Sequence, residues 1–135
     1  MPQSYTSMRL SGKFPHQDIS QMKNVEQDRV WIVTGASRGI GLAVAECAAE
    51  AGARVVLIAR GHEVTDVAKQ CGPQCIGFSC DVTNSEEVKN VLEKIFNSLG
   101  RIDVVINNAG FHKGGKISRL EQQDWEDVLN VNLTG

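Results

Sequence analysis

Gly35, Gly39 and Gly41 fall in one octet, Thr34, Gly35, Ala36, Ser37, Arg38, Gly39, Ile40, Gly41, between a β-branched run and an amphipathic stretch. That is where a strand turns into a helix. Without Cβ atoms the backbone there can bend sharply and let an anion reach the free amides of the helix's first turn, where the helix dipole favours negative charge. The chemistry open to such a loop is the cradling of a diphosphate, and Gly41 would also let helix and sheet pack closely. Taken alone, the octet also fits a flexible turn. A second polar cluster, Asn107, Asn108, Ala109 and Gly110, ends a later apolar run. Its amides can pair with backbone groups that an ending β-ladder leaves unsatisfied, and Ala109 and Gly110 leave room for a flat ring; a structural turn would use them the same way. Asp81 follows another run and by position is a routine cap for a helix starting near Ser85.

These residues need a scaffold, and the pattern from Arg29 onward supplies one. Short β-branched runs alternate with longer amphipathic stretches, the mark of βαβα units. Strands are expected over residues 30–34, 54–59, 75–80 and 102–106. The second is apolar after its first residue, as a parallel strand covered on both faces should be. Helices are expected over 39–51, closed by Gly52; over 63–70, stopped by Gly72 and Pro73; and over 85–99, where Ser85 caps, Val88, Val91, Leu92, Ile95 and Leu99 repeat at helical spacing, and Gly100 ends the helix. A capping box of Ser118 with Glu121 should start a last helix, its apolar face Trp125, Val128 and Leu129, running to the terminus. Right-handed crossovers make strand order 3-2-1-4 the commonest arrangement of four such strands. The chain leaves strands one and four for opposite faces of that sheet, opening a crevice at their carboxyl ends for a ligand.

The motif T-G-x-x-x-G-x-G at residues 34–41, Asp81 after the third strand and N-N-A-G at residues 107–110 together resemble the short-chain dehydrogenase/reductase family, in order and spacing from Arg29 to Gly135. The resemblance implies an α/β fold, the first half of a Rossmann-type doubly wound parallel sheet in three α/β/α layers. It implies an oxidoreductase that interconverts an alcohol and a ketone or aldehyde by hydride transfer with a nicotinamide dinucleotide. It assigns cofactor contacts to Gly35, Ser37, Arg38, Gly39, Ile40 and Gly41, to Arg60 beyond strand two, to Asp81 and Val82 at the adenine, and to Asn108, Ala109 and Gly110 beside the adenosine ribose. It also implies dimers or tetramers.

The family's proton relay uses a Tyr, a Lys and a Ser, with an Asn that anchors a water; Asn132 alone has the matching place, as the catalytic residue the resemblance assigns. Seven residues after Trp125, it puts an amide on an apolar helical stripe, and a buried amide is either a satisfied core residue or a holder of water. Tyr5, the sole tyrosine, has no Lys four residues later. The expectation is the cofactor-binding part of a longer reductase, since the sequence stops inside an amphipathic helix without a cap. The other reading is a truncated, non-catalytic nucleotide-binding or subunit-interaction module. His112 and Lys113 resemble candidates for a catalytic acid but read as loop residues.

In NAD-selective sites an Asp or Glu about 20 residues beyond the glycines accepts hydrogen bonds from the ribose 2′-hydroxyl. Here strand two ends in Ala59 and then Arg60, with Arg38 on the same side. Two forked cations suit a 2′-phosphate, so NADP is expected rather than NAD. Solvated surface arginines, with Glu63 neutralising Arg60, are the other reading.

At 135 residues, 41% hydrophobic and 22% charged, the chain has the make-up of one ordinary globular domain, expected over 29–135 behind a loose arm over 1–28. Fourteen basic against sixteen acidic residues leave a net charge of −2, so no global field draws it to nucleic acid or to a membrane surface. With no apolar segment of signal or spanning length, a cytoplasmic location is expected. Cys71, Cys75 and Cys80 lack metal-site spacing, and no metal is expected. Cys75 and Cys80, five apart, should face opposite sides of the sheet, and Cys47 reads as a small buried hydrophobe on a stripe with Ile40, Val44 and Ala48.

Overall fold

The computed structural model describes residues 26–135; nearly all of the arm expected over 1–28 lies outside them. In chain order the elements are β1 (Val30–Thr34), α1 (Gly39–Glu50), β2 (Arg54–Ala59), α2 (Val64–Cys71), β3 (Cys75–Ser79), α3 (Ser85–Leu99), β4 (Val104–Ile106), a 3-10 turn (Ile117–Arg119) and α4 (Gln122–Leu129), which runs into a π-helical segment (Asn130–Thr134). The four strands form one parallel sheet in the order β3-β2-β1-β4, the Rossmann-type order expected. Val33 is in register with Leu57 on one side and Ile106 on the other.

Alternate residues of the central strands feed two cores, as the two-residue strand period requires. Val33, Val55 and Leu57 pack with Ala45, Ala48, Ala49 and Val64 on one face; Val30, Ile32, Val56 and Ile58 pack with Val91 and Ile95 on the other. Cys75 joins the first core and Cys80 the second, on opposite faces as their spacing required. Burial pushes the Cys75 thiol up to about 11, with the neighbouring Cys71 adding to the shift.

Several local expectations are corrected. The buried face of α1 is Gly41, Ala45, Ala48 and Ala49, not a stripe through Cys47. Cys47 is exposed, and Ile40 is 77% exposed. Small residues face the sheet because the helix lies close to it. The cap of α3 is Asn84, whose extended backbone aims its Oδ1 at the amides of Glu86 and Glu87, both at 3.2 Å, leaving Ser85 inside the helix. β4 starts at Val104 rather than at 102 because a side chain takes over the pairing there: Asp103 accepts the Val30 N–H at 2.8 Å while its own N–H donates to the Val30 carbonyl at 2.9 Å. Arg101 holds that carboxylate with two bonds, at 2.8 and 2.7 Å. The Ser118–Glu121 capping box does not form; Ser118 sits in the 3-10 turn, and Glu121 precedes α4 without a side-chain cap bond. The α-helix ends at Leu129, and Trp125 on its expected packing face is 63% exposed. Residues 26–28, at the end of the expected arm, form a turn fastened to β1, the Trp31 indole donating to Glu26 at 2.9 Å. Among the described residues no helix is long and apolar enough to cross a membrane, and no group of three or more His, Cys, Asp or Glu is placed to hold a metal.

Candidate functional site

Thr34, the last residue of β1, ties the two loops together. Its hydroxyl accepts from the backbone N–H of Asn108 at 3.0 Å and of Ala109 at 2.9 Å, and donates to the Ile106 carbonyl at 3.3 Å. A hydroxyl has one donor and two acceptor sites, and all are used. The Asn108 amide answers from the other strand, its Nδ2 donating to the carbonyls of Thr34 at 3.0 Å and Gly35 at 3.3 Å. Groups left over where the β1–β4 ladder stops are thereby paired by the side chain of Asn108, one of the two asparagines expected to do so.

That clamp leaves no space for larger residues beside it. Gly35 has φ +64°, and a Cβ there would lie 2.8 Å from the Ala109 Cα. At Gly41 a Cβ would lie 2.4 Å from the Asn108 Nδ2 and 2.5 Å from the Gly35 carbonyl oxygen. The loop then enters α1 through Arg38, whose backbone is extended and whose side chain makes no cap bond; no acidic residue stands in the first turn. The helix therefore presents its N-terminal amides and positive dipole end without an internal anion.

Of the residues singled out from sequence, Gly35, Ser37, Arg38, Arg60, Asp81, Val82, Ala109 and Gly110 line a single cleft of about 420 Å³ at the carboxyl ends of the strands, a size suited to a small-molecule ligand. Gly41 and Asn108 stand behind this wall as parts of the clamp, while Gly39 and Ile40 lie on the exposed start of α1. Among the described residues neither Arg38 nor Arg60 is in an ion pair, and Glu63, also on the cleft wall, does not bridge to Arg60. Asp81 shapes the turn after β3 instead of capping α3: its Oδ1 accepts from the Thr83 N–H at 2.9 Å and the Thr83 hydroxyl at 2.8 Å. Those bonds, the backbone one first, hold its carboxyl below the usual 3.8, and the Arg60 cation adds to the effect. Glu87 steadies the same turn by accepting the Asp81 N–H at 3.0 Å.

Asn132 is not on a buried stripe. It lies exposed in the π-helical segment, where its Oδ1 accepts the Phe111 N–H and its Nδ2 donates to the Phe111 carbonyl, both at 2.9 Å. The clasp fixes the chain just beyond Gly110. Lys113 is ion-paired with Asp124 of α4, which raises the lysine and lowers the aspartate. The Thr34 hydroxyl is a hub not foreseen from sequence, although a Thr ending one strand beside an Asn ending its neighbour was the signal. Val131, a further wall residue of the cleft, gave no signal of its own.

A parallel 3-2-1-4 sheet whose neighbouring strands β1 and β4 end in interlocked Gly-rich and Asn-Asn-Ala-Gly loops defines a Rossmann-type α/β domain. The family model described as short chain dehydrogenase matches residues 29–135, and the chain belongs to that family. Among curated proteins it is similar to the 3-oxoacyl-(acyl-carrier-protein) reductases FabG of Vibrio cholerae, 37% identical over 109 residues, and of Aquifex aeolicus, 36% identical over 114 residues. The matches cover 80% and 81% of this chain, and 45% and 46% of those proteins. Among solved structures it is similar to the 3-ketoacyl-(acyl-carrier-protein) reductase of Brucella melitensis complexed with NADH, with a TM-score of 0.75 and 28% identity, over 79% of this chain and 45% of that one. The chain thus spans about half the length of the proteins it matches.

Proposed function

We propose that residues 29–135 form the NADP-binding part of an oxidoreductase that interconverts an alcohol and a carbonyl. The names of the FabG relatives favour the ketone of a 3-oxoacyl thioester as the carbonyl. The observation that carries the reading is the cleft that brings Gly35, Ser37 and Ala109 together with two arginines in no ion pair. In this reading the first-turn amides of α1 take the diphosphate, Asp81 and Val82 meet the adenine, Ala109 and Gly110 line the ribose, and Arg38 with Arg60 bind a 2′-phosphate. The bound cofactor would supply the hydride; the chain's own part is to orient it and, through the Asn132–Phe111 clasp, to hold the loop beside it. No Tyr among the 135 residues has a Lys four positions on, so this chain by itself is expected to bind without turnover. Trp125, Leu129 and Leu133, exposed at four-residue spacing, are the face on which dimers or tetramers would build.

Calorimetric titration of the purified chain with both coenzymes tests this. NADP should bind more tightly than NAD, and the pair Arg38→Ala, Arg60→Ala should cost roughly tenfold in NADP affinity, each exposed charge contact contributing about 0.7 kcal/mol. NAD affinity should change little. Equal or tighter binding of NAD defeats the NADP assignment.

A further inference from the structure

Arg60 lines three clefts. One is the cleft just described, and a second, about 540 Å³, opens towards Phe111 and Asp127. The third, about 580 Å³, lies between the end of β2, the end of β3 and α3, and is lined by His62 and Lys94 with Arg60, Asp81 and Glu87. Three basic side chains from two separate elements thus converge on one concavity. Neither Arg60 nor Lys94 nor His62 is in an ion pair among the described residues. The two carboxylates also hold the turn after β3: Asp81, which feels the Arg60 cation, takes Thr83 with its Oδ1, and Glu87 takes the Asp81 N–H at 3.0 Å with one oxygen and the Asn84 side-chain amide at 2.9 Å with the other. Arg60 itself is pinned, because the Ser79 hydroxyl donates to its carbonyl at 2.8 Å.

Resting on the NADP reading above, we propose that His62 and Lys94 are specificity-determining residues that extend the cationic wall of Arg60 and select a ribose bearing a 2′-phosphate. A phosphate monoester approaches a double negative charge at neutral pH and offers three acceptor oxygens. The guanidinium of Arg60 gives it a planar fork, the ammonium of Lys94 a mobile point charge, and the His62 ring an N–H donor in either charge state.

The test uses two probes, adenosine 2′,5′-bisphosphate and adenosine 5′-monophosphate, which differ only in the 2′-phosphate. Their affinities for the 135-residue chain are compared at low ionic strength, where exposed charges are least screened. The unsubstituted chain should prefer the bisphosphate. Lys94→Gln and His62→Ala should each reduce that preference by about threefold, the scale of a single exposed charge contact, and Lys94→Arg should keep it. Monophosphate affinity should stay constant throughout, showing that each variant is folded. If Arg60→Ala lowers the preference while Lys94→Gln and His62→Ala leave it intact, this inference is wrong and the NADP reading stands. If the unsubstituted chain shows no preference, the NADP reading fails and takes the inference with it. Inorganic phosphate that binds in a Lys94-dependent way without competing with the bisphosphate would place a separate anion site there and overturn the assignment to the cofactor.

Discussion

Replacing Thr34 by Val keeps the shape of the side chain and removes only the hydroxyl that joins β1 to the loop after β4. Three hydrogen bonds disappear: those from Asn108 N at 3.0 Å and Ala109 N at 2.9 Å, and that to Ile106 O at 3.3 Å. Each is worth about 1 kcal/mol net, and a buried donor left without a partner costs about 1–3 kcal/mol. All three bonds are only partly buried, so water relieves part of the loss, and the expected destabilisation is about 2–3 kcal/mol. That is a large share of the about 5–15 kcal/mol that holds a domain together. With a urea m-value of about 1.5 kcal/mol/M, the midpoint should fall by about 1.3–2 M. Thr34→Ser restores the hydroxyl and loses one methyl group, so it should cost only about 1 kcal/mol. Urea melts followed by far-ultraviolet circular dichroism measure all three proteins. A Val variant within about 0.5 kcal/mol of the parent, or a Ser variant as weak as the Val one, would refute the clamp, because surface changes without structural consequence fall in that range.

At Gly41, Ala would drive a Cβ to 2.4 Å from Asn108 Nδ2 and 2.5 Å from the Gly35 carbonyl oxygen. It should cost about 2–3 kcal/mol by overpacking and abolish coenzyme binding in the same titration. Gly39→Ala meets nothing within 4 Å but sits at φ +62°, so its cost should stay near the 1–2 kcal/mol of left-handed backbone strain. Asn84→Ala should cost about 1 kcal/mol of thermal or urea stability by removing the cap of α3, with Ser85→Ala changing it by at most a few tenths. Asp81, lowered by Thr83 and then by Arg60, stabilises the folded chain above the usual carboxyl range, and that contribution fades as pH falls through its depressed folded-state value. Stability curves of the parent and Asp81→Asn should therefore differ at pH 7 and converge as the pH falls below the usual carboxylate range; a constant gap across that window would assign the effect to packing instead.

The sheet was legible because its central strands, β1 and β2, are largely buried on both faces and read as apolar runs; Val55 to Ile58 have no polar partner to misplace, and the parallel order follows from crossover handedness. The two loops were legible because glycine and asparagine at strand ends have few physical uses. Failures came where two residues of similar kind competed. Asn84 and Ser85 are adjacent capping types, and the backbone decides: Asn84, at φ −98° and ψ 98°, is extended, while Ser85 is already helical. On α1 the pattern gave weight to large apolar side chains such as Ile40, whereas the helix meets the sheet through Gly41 and alanines. Asp103 was read as one more strand residue; no periodicity shows that its carboxylate would stand in for a ladder carbonyl opposite Val30. The end of α4 misled for another reason, since helical spacing cannot tell an α-turn from the wider π-turn that carries Asn132.

The two motifs are one mechanical unit, and that bears on how the site can bind. The Gly-rich loop is shaped from behind by Asn108, through the carbonyls of Thr34 and Gly35, and the Asn-Asn-Ala-Gly loop is shaped by the Thr34 hydroxyl. A further clasp from Asn132 continues the chain of constraints to Phe111. Each loop conformation is thus set by protein groups before any ligand arrives, so a ligand need not spend binding energy on ordering them. The ordering cost falls instead on the long side chains at the rim, Arg38, Arg60 and Lys94, each of which must give up rotamer freedom to hold an anion. Diphosphate recognition should therefore be insensitive to changes at the rim, while discrimination at the 2′-position should be weak per residue and cumulative. Single rim substitutions and their combinations, measured against both adenosine probes, separate these two behaviours: additive losses confined to the bisphosphate agree with a rigid cradle and a soft rim, and losses shared by the monophosphate contradict it.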